Sequence, residues 1–325
     1  MKFVIAAGGT GGHIYPGIAL AEEIKIRDSK NEVIFIGGSK GIEKKLIKFP
    51  LRMIRKPLLF GLFDSLKILW EVKPDRVIAT GGYISAAVVL AAKILKIPIL
   101  LHEQNVLPGR ANRICSRFAD VTVLSFSESL KYLKGVVLGN PVRRRILDFY
   151  KKKNGRFTVF IFGGSQGSKN INTAIVSLLD RFSKMDMDIV HVAGERDYAS
   201  LPKEEVSFYK MLPYMYNIEE GFADADLVVS RAGATAISEI LACGKPSILI
   251  PFPYAAENHQ ELNARAVKAF GAAEILHDNE LEKLPDLIGE LKADPSRLKK
   301  MGEAALAHSS PDAAEKILDL IYEKN

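Results

Sequence analysis

Short, almost continuous apolar runs alternate along the chain with stretches in which apolar residues recur every three or four positions. The runs Lys2–Ala7, Glu32–Ile36, Arg76–Ala79, Ile97–Leu101, Val121–Leu124, Phe157–Phe162, Ile189–Ala193, Leu227–Ser230 and Ser247–Pro251 read as strands. Glycines, prolines and helical patterns separate them. Strands apolar on both faces, joined by helical crossovers, belong to parallel sheets covered on both sides. The expected class is therefore α/β.

One pattern occurs twice. A strand runs into Gly8-Gly9-Thr10-Gly11-Gly12-His13 and then a helical pattern through Ile18, Leu20, Ala21 and Ile24. A second strand runs into Gly163-Gly164-Ser165-Gln166-Gly167-Ser168 and a helical pattern through Ile171, Ile175 and Leu178, offset by 155 residues. Each copy is the strand–glycine turn–helix unit that opens a doubly wound sheet. Two openings predict two Rossmann-like domains, 1–148 and 149–325, with Gly139-Asn140-Pro141 just before the junction. A last helical pattern, Ala313 to Tyr322, has an apolar face for either domain.

The length, 325 residues, agrees with two domains, and 48% hydrophobic with 26% charged residues excludes a disordered or collagenous chain. Cys115 and Cys243 lie far apart and match no metal or redox spacing, so a disulfide scaffold is excluded and a reducing compartment is expected. Phe3–Ala7 is too short for a secretory core, and Tyr83–Leu101 is interrupted by Lys93, Lys96 and Pro98. A soluble cytosolic chain is expected. The net charge of +7 is uneven: residues 1–150 hold 24 Lys and Arg against 12 Asp and Glu, and the remainder 21 against 26. The basic half favours an anionic partner, whether nucleic acid, an anionic membrane surface or a polyphosphate ligand.

A glycine turn at a strand's carboxyl end lets a ligand approach the backbone, and the following helix N-terminus favours negative charge. A dinucleotide dehydrogenase is excluded at the second strand, where Val33-Ile34-Phe35-Ile36 ends in Gly37-Gly38-Ser39 without the ribose-binding carboxylate. Neither loop has the Gly-Lys-Ser/Thr ending of a Walker motif. A better carboxylate is Glu239, in the turn and helix start Arg231–Glu239, placed to accept two hydrogen bonds from a ribose diol; the competing assignment is a solvated helix residue. His13 closes the first glycine turn as a candidate general base, against a capping or packing role. His102-Glu103-Gln104-Asn105 follows a strand and brings its polar groups to the same edge, and His259 and Gln260 follow another. His191 sits inside an apolar strand and reads as core. Asp186-Met187-Asp188 and Asp224-Ala225-Asp226 resemble the Asp-x-Asp metal pair, but both precede their strands and fall at the amino edge, so no metal or cofactor is expected.

Taken together, Gly8–His13, Gly81-Gly82-Tyr83-Ile84-Ser85, His102–Asn105, Gly139–Arg143, Gly163–Gly167, Ser230–Glu239 and His259-Gln260…Asn263-Ala264 resemble the MurG family over nearly the whole chain. These are bacterial peripheral-membrane N-acetylglucosaminyltransferases that convert lipid I to lipid II in peptidoglycan synthesis. The resemblance implies a GT-B fold, two Rossmann-like doubly wound parallel-sheet domains facing a cleft, and an inverting, metal-independent transfer from UDP-GlcNAc. By similarity Ser165 meets the diphosphate, and Ala234, Thr235, Ala236, Ile237 and Ser238 wrap nucleotide and phosphates. Glu239 holds the ribose, Gln260 contacts GlcNAc, and the backbone near Met215 reads uracil. Thr10, Gly11, Gly12, Asn105 and Arg143 reach the donor from the N-terminal side, and His13 matches the proposed base. The implied partners are UDP-GlcNAc, lipid I and the anionic inner leaflet at the cytoplasmic face, with no nucleic acid.

The cluster Leu58, Leu59, Phe60, Leu62, Phe63, Leu66, Leu69 and Trp70 is edged by Arg52, Arg55, Lys56, Lys67 and Lys73. Such a segment serves either as an interfacial face or as an amphipathic helix packed on the sheet. The stretch from Ser39 to Val72 looks shorter than in other family members. Two alternative functions share the fold: a UDP-GlcNAc 2-epimerase, and a non-catalytic nucleotide-sugar-binding protein.

Overall fold

A computed structural model describes residues 1–38, 42–148, 155–164, 167–203 and 206–322. They form two compact units, Met1–Arg144 with Ser310–Asn325, and Arg145–Ser309. The first holds β1 (Lys2–Ala6), β2 (Glu32–Gly38), β3 (Leu51–Ile54), β4 (Arg76–Ala79), β5 (Ile99–Glu103), β6 (Val121–Leu124) and β7 (Val136–Val137). The second holds β8 (Thr158–Phe162), β9 (Asp188–Val192), β10 (Tyr209–Leu212), β11 (Leu227–Arg231), β12 (Ser247–Ile250) and β13 (Ala273–Ile275). Every pairing is parallel.

The sheets share one topology. Their orders, β3-β2-β1-β4-β5-β6-β7 and β10-β9-β8-β11-β12-β13, both reverse direction beside the opening strand. The crevices at the carboxyl ends of β1/β4 and β8/β11 are thus the topological switch points where ligands bind in open α/β sheets. Both glycine turns leave from these points. Two Rossmann-like domains of this order are the GT-B class of fold.

Strand alternation decides what each face of the first sheet covers. Phe3, Ile5, Phe35, Ile78 and Leu100 point to one face and pack on Ile14, Leu20 and Ile24 of the helix Gly11–Arg27. Val4, Ala6, Ile36, Val77, Ile99 and Leu101 point to the other, under Ile84, Val88 and Ala91 of the helix Gly82–Ile94. The final helix, Ala313–Tyr322, packs on the first unit, where Ile317, Leu318 and Ile321 join the core beside the helix Gly11–Arg27. Arg27 Nη2 reaches Asp319 at 2.8 Å, and Asn31 Nδ2 donates to Tyr322 Oη at 3.0 Å. In the second unit Val159, Ile161, Leu227, Val229, Ile248 and Ile250 form the central core with Ile171, Ile175 and Phe182.

The helix Leu58–Val72 divides the apolar cluster between two roles. Leu69 is buried, and Leu62 and Leu66 pack against the sheet. Leu58, Leu59, Phe60, Phe63 and Trp70 face outward, each 47–69% exposed. Among the described residues, no helix is long and apolar enough to cross a membrane.

Candidate active site

At the first switch point the chain leaves β1 through Gly8-Gly9 and enters the helix Gly11–Arg27, capped at Thr10, whose side chain makes no capping bond. Gly9 takes φ +89°, the left-handed region open chiefly to glycine. Opposite, β4 ends in Thr80-Gly81-Gly82, where Gly81 has φ +112° and a Cβ would lie 2.8 Å from His13 Nδ1. These turns hold the His13 ring by its Nδ1 edge, 3.0 Å from Thr80 O and 3.1 Å from Gln104 Oε1. A carbonyl oxygen only accepts, so Nδ1 carries the proton. In the neutral ring Nε2 is the acceptor, the state a general base requires.

The sequence His102-Glu103-Gln104-Asn105, at the end of β5, is polar yet three of its members are at most 1% exposed. Buried polar groups require partners, and here they form two networks. Gln104 Nε2 lies 2.7 Å from Thr80 O, 2.9 Å from His102 Nδ1 and 3.2 Å from His102 O. His102 Nε2 lies 3.1 Å from Gly139 O. Burial pushes the His102 pKa down to about 4, with a backbone hydrogen bond opposing, so this ring is neutral at physiological pH. Glu103 turns the other way: Oε1 accepts from Asn105 N at 2.8 Å and Asn105 Nδ2 at 3.1 Å, while Oε2 accepts from Asn112 Nδ2 at 2.8 Å and Gly109 N at 3.1 Å. Glu103 thereby fixes the loop that presents Asn105. Arg143 is buried, its guanidinium 4.1 Å above the Tyr15 ring on the helix that starts at the glycine turn.

The second unit repeats the frame with different chemistry. Gly164 and Gly167 take φ +88° and +74°, and a Cβ on Gly167 would strike Ala193 O at 2.2 Å. Ser165, the expected diphosphate contact, lies outside the described residues. β11 ends at Arg231, and the helix Ala234–Ala242 starts beside the turn, capped at Gly233. Glu239 is 4% exposed, which removes the solvated-helix assignment. Ala234 and Thr235 are buried, Ala236 and Ser238 half-buried, and Ser238 Oγ donates to Ala234 O at 2.9 Å. Ile237 is 1% exposed, so its backbone is what it offers a ligand. Met215 follows β10 half-buried between Tyr214 and Tyr216, whose rings meet edge to face at 4.8 Å. Gln260 Oε1 accepts from Phe252 N at 3.0 Å, which leaves its amide N–H groups as the donors for a ligand.

Thr10, Gly11, Gly12, His13, Asn105 and Arg143 thus gather at one end of the first sheet, and Met215, Ala234–Glu239 and Gln260 at one end of the second. His102, Gln104, Arg231 and Asp278 had no role assigned from sequence, yet each supports one of these groups. The Asp-x-Asp pairs lie at the opposite edge: Arg156 reaches Asp186 and Asp188 at 2.8 and 2.9 Å, and Asp226 Oδ2 accepts from Thr158 N at 2.9 Å. His191 is a core residue. Its nitrogens meet Tyr209 Oη at 2.8 Å and Asn172 Oδ1 at 3.0 Å, and burial pushes its pKa down to about 4.

Twin Rossmann-like domains, each with its glycine turn at the switch point, define the GT-B class. Residues 3–123 match the glycosyltransferase family 28 N-terminal domain, and residues 158–317 the glycosyltransferase family 28 C-terminal domain. The chain is 40% identical, over 99% of its length and 98% of the relative's, to a UDP-N-acetylglucosamine–N-acetylmuramyl-(pentapeptide) pyrophosphoryl-undecaprenol N-acetylglucosamine transferase of Halothermothrix orenii. It belongs to that family of N-acetylglucosamine transferases. Its fold is similar to crystalline MurG from Acinetobacter baumannii, with TM-score 0.78 and 24% identity over 99% of both chains. A UDP-GlcNAc 2-epimerase from Neisseria meningitidis has a similar fold too, with TM-score 0.70 and 15% identity over 99% of this chain and 100% of the other. The fold alone does not separate transferase from epimerase.

Proposed function

We propose that the protein transfers GlcNAc from UDP-GlcNAc to the muramyl sugar of lipid I, giving lipid II with inversion at the anomeric carbon. The observation that carries this reading is the His13 ring, held at Nδ1 so that Nε2 accepts the proton of an acceptor hydroxyl. The freed oxygen attacks the anomeric carbon as the bond to UDP breaks, and UDP leaves with the bonding pair. Its charge is met by the N–H groups at the start of the helix Ala234–Ala242, with Ser165 and Arg143 as further contacts. Glu239 holds the ribose hydroxyls, Gln260 the GlcNAc, and the backbone near Met215 the uracil. Thr10, Gly11, Gly12 and Asn105 complete the donor contacts. The Arg156 and backbone partners of the Asp-x-Asp pairs support a transfer without a divalent ion.

The first domain takes the lipid acceptor at the cytoplasmic face of the inner membrane. Its outward residues Leu58, Leu59, Phe60, Phe63 and Trp70, among basic side chains, support peripheral docking on an anionic leaflet. UDP release from UDP-GlcNAc, measured in EDTA with and without a lipid I analogue, tests the reaction. Acceptor-dependent release with GlcNAc on the lipid is the expected result. Sugar conversion without acceptor would establish the epimerase instead, and donor binding without turnover the binding protein.

A further inference from the structure

The His13 base is held by a chain of neutral groups running through two side chains to a backbone carbonyl. Its direction follows from groups that can only accept. Gly139 O takes the His102 Nε2 proton, so His102 Nδ1 is bare and accepts from the Gln104 amide nitrogen. That nitrogen also faces Thr80 O and His102 O, both acceptors, which places Gln104 Oε1 toward His13. His13 Nδ1 donates to Oε1 and to Thr80 O. No step depends on an arbitrary choice of amide flip or tautomer.

We infer that Gln104 is a positioning residue for the transfer, fixing His13 as its Nδ1–H tautomer, and that His102 acts through Gln104 by holding its amide in the one useful orientation. The inference rests on the proposed role of His13 and deepens it. A protonated His102 would donate from Nδ1 and turn the amide over, presenting its NH₂ to His13; the depressed pKa of the buried ring prevents this. The partner of the base is an uncharged amide, in contrast to the carboxylate of a hydrolytic triad. When Nε2 takes the acceptor proton, the imidazolium keeps its Nδ1–H bonds to Gln104 and Thr80. It gains no counter-charge from these two groups.

Three measurements test this. In ¹⁵N spectra of the free protein, His13 is expected protonated at Nδ1; a resting Nε2–H ring would overturn the inference, and this readout needs no activity. Gln104→Glu places a carboxylate against Nδ1, which favours the imidazolium. The acidic limb of kcat against pH is then expected to move up by about one unit, with the donor KM unchanged. An unmoved limb in a variant that melts like the parent would refute the contact. Finally, His102→Leu removes the acceptor for the Gln104 amide, and kcat should fall, though by less than the roughly 10²- to 10⁴-fold expected for losing the base itself. His102→Asn, which restores an acceptor near Nδ1, should recover most of it; equal loss in both would remove His102 from the chain. If the parent protein transfers no sugar, the function proposed above fails while the ¹⁵N result still judges the tautomer.

Discussion

Arg231 and Ser168 join the two turns of the second switch point: the guanidinium donates to the Ser168 hydroxyl from Nε at 3.0 Å and from Nη2 at 2.7 Å. The same guanidinium donates to Ile250 O and Pro251 O and pairs with Asp278, which also accepts from Asn170 Nδ2 at 2.7 Å. Both side chains of the ion pair are about nine-tenths buried. One arginine therefore sets the relative position of the glycine turn after β8, the turn after β11 and the loop after β12.

Removing that arginine should strip the Asp278 carboxylate of its counter-charge. Arg231→Met is expected to destabilise the second domain by about 3–5 kcal/mol, whereas Ser168→Ala should cost only about 1 kcal/mol. Adding Asp278→Asn to Arg231→Met should recover part of the loss. Hydrogen exchange of second-domain amides under urea checks all three, and an additive double variant would show that the pair is not coupled.

The donor and base roles separate by kinetics. Glu239→Ala should weaken UDP binding by about 1–3 kcal/mol, since a buried polar partner is truncated. Calorimetric titration with UDP reads this directly, and unchanged affinity would end the ribose assignment. His13→Ala should lower kcat on the order of 10²- to 10⁴-fold while the donor KM holds. Equal turnover in the two proteins would remove His13 as base.

Much of this arrangement was legible in the chain, and the gaps have physical causes. The repeated glycine turns marked both switch points because the positive φ of Gly9 and Gly164, +89° and +88°, favours glycine. The strands missed, β3, β7, β10 and β13, are the four edge strands of the two sheets. β7 is exposed at both residues, and β10 mixes buried Tyr209 with exposed Lys210, so neither shows a continuous apolar run. The helix Ala313–Tyr322 was readable, but its docking partner lies nearly 300 residues back in the chain and no local pattern encodes it. His102 and Gln104 were visible only as polar residues after a strand. Their partners, Gly139 and Thr80, come from other segments that the sheet order brings together.

Two buried histidines make stability fall in acid. His102 and His191 both have pKa values lowered to about 4 from 6.5, so the unfolded chain binds more protons between those values. Their contribution is fully present above pH 6.5, diminishes as pH falls through that window, and is exhausted below about 4. Each shift corresponds to about 3 kcal/mol. Since His102 lies in the first unit and His191 in the second, both units should weaken. Urea midpoints followed from pH 7 to 4 check this, and His191→Asn should flatten the dependence in second-domain amides alone.

Trp70 offers a direct test of membrane docking, because it is the one tryptophan in the chain and is 69% exposed. It stands on the outward face of the helix Leu58–Val72 with Leu59 and Phe63, while Leu69 anchors the opposite face in the core. Arg55 and Lys67 flank this face and keep their charged ends in solvent, 69% and 77% exposed, even though each has a carboxylate neighbour. Vesicles containing anionic lipid should shift the Trp70 emission to the blue. Neutral vesicles should not, and raised salt should reverse the shift, because exposed charges are screened within about 10 Å at 0.1 M. Phe63→Ser with Leu59→Ser should abolish vesicle co-sedimentation and leave the melting temperature nearly unchanged, since neither side chain is part of the core. Binding that survives this pair, or that ignores salt, would place the contact elsewhere and leave capture of the lipid acceptor as the route to the membrane.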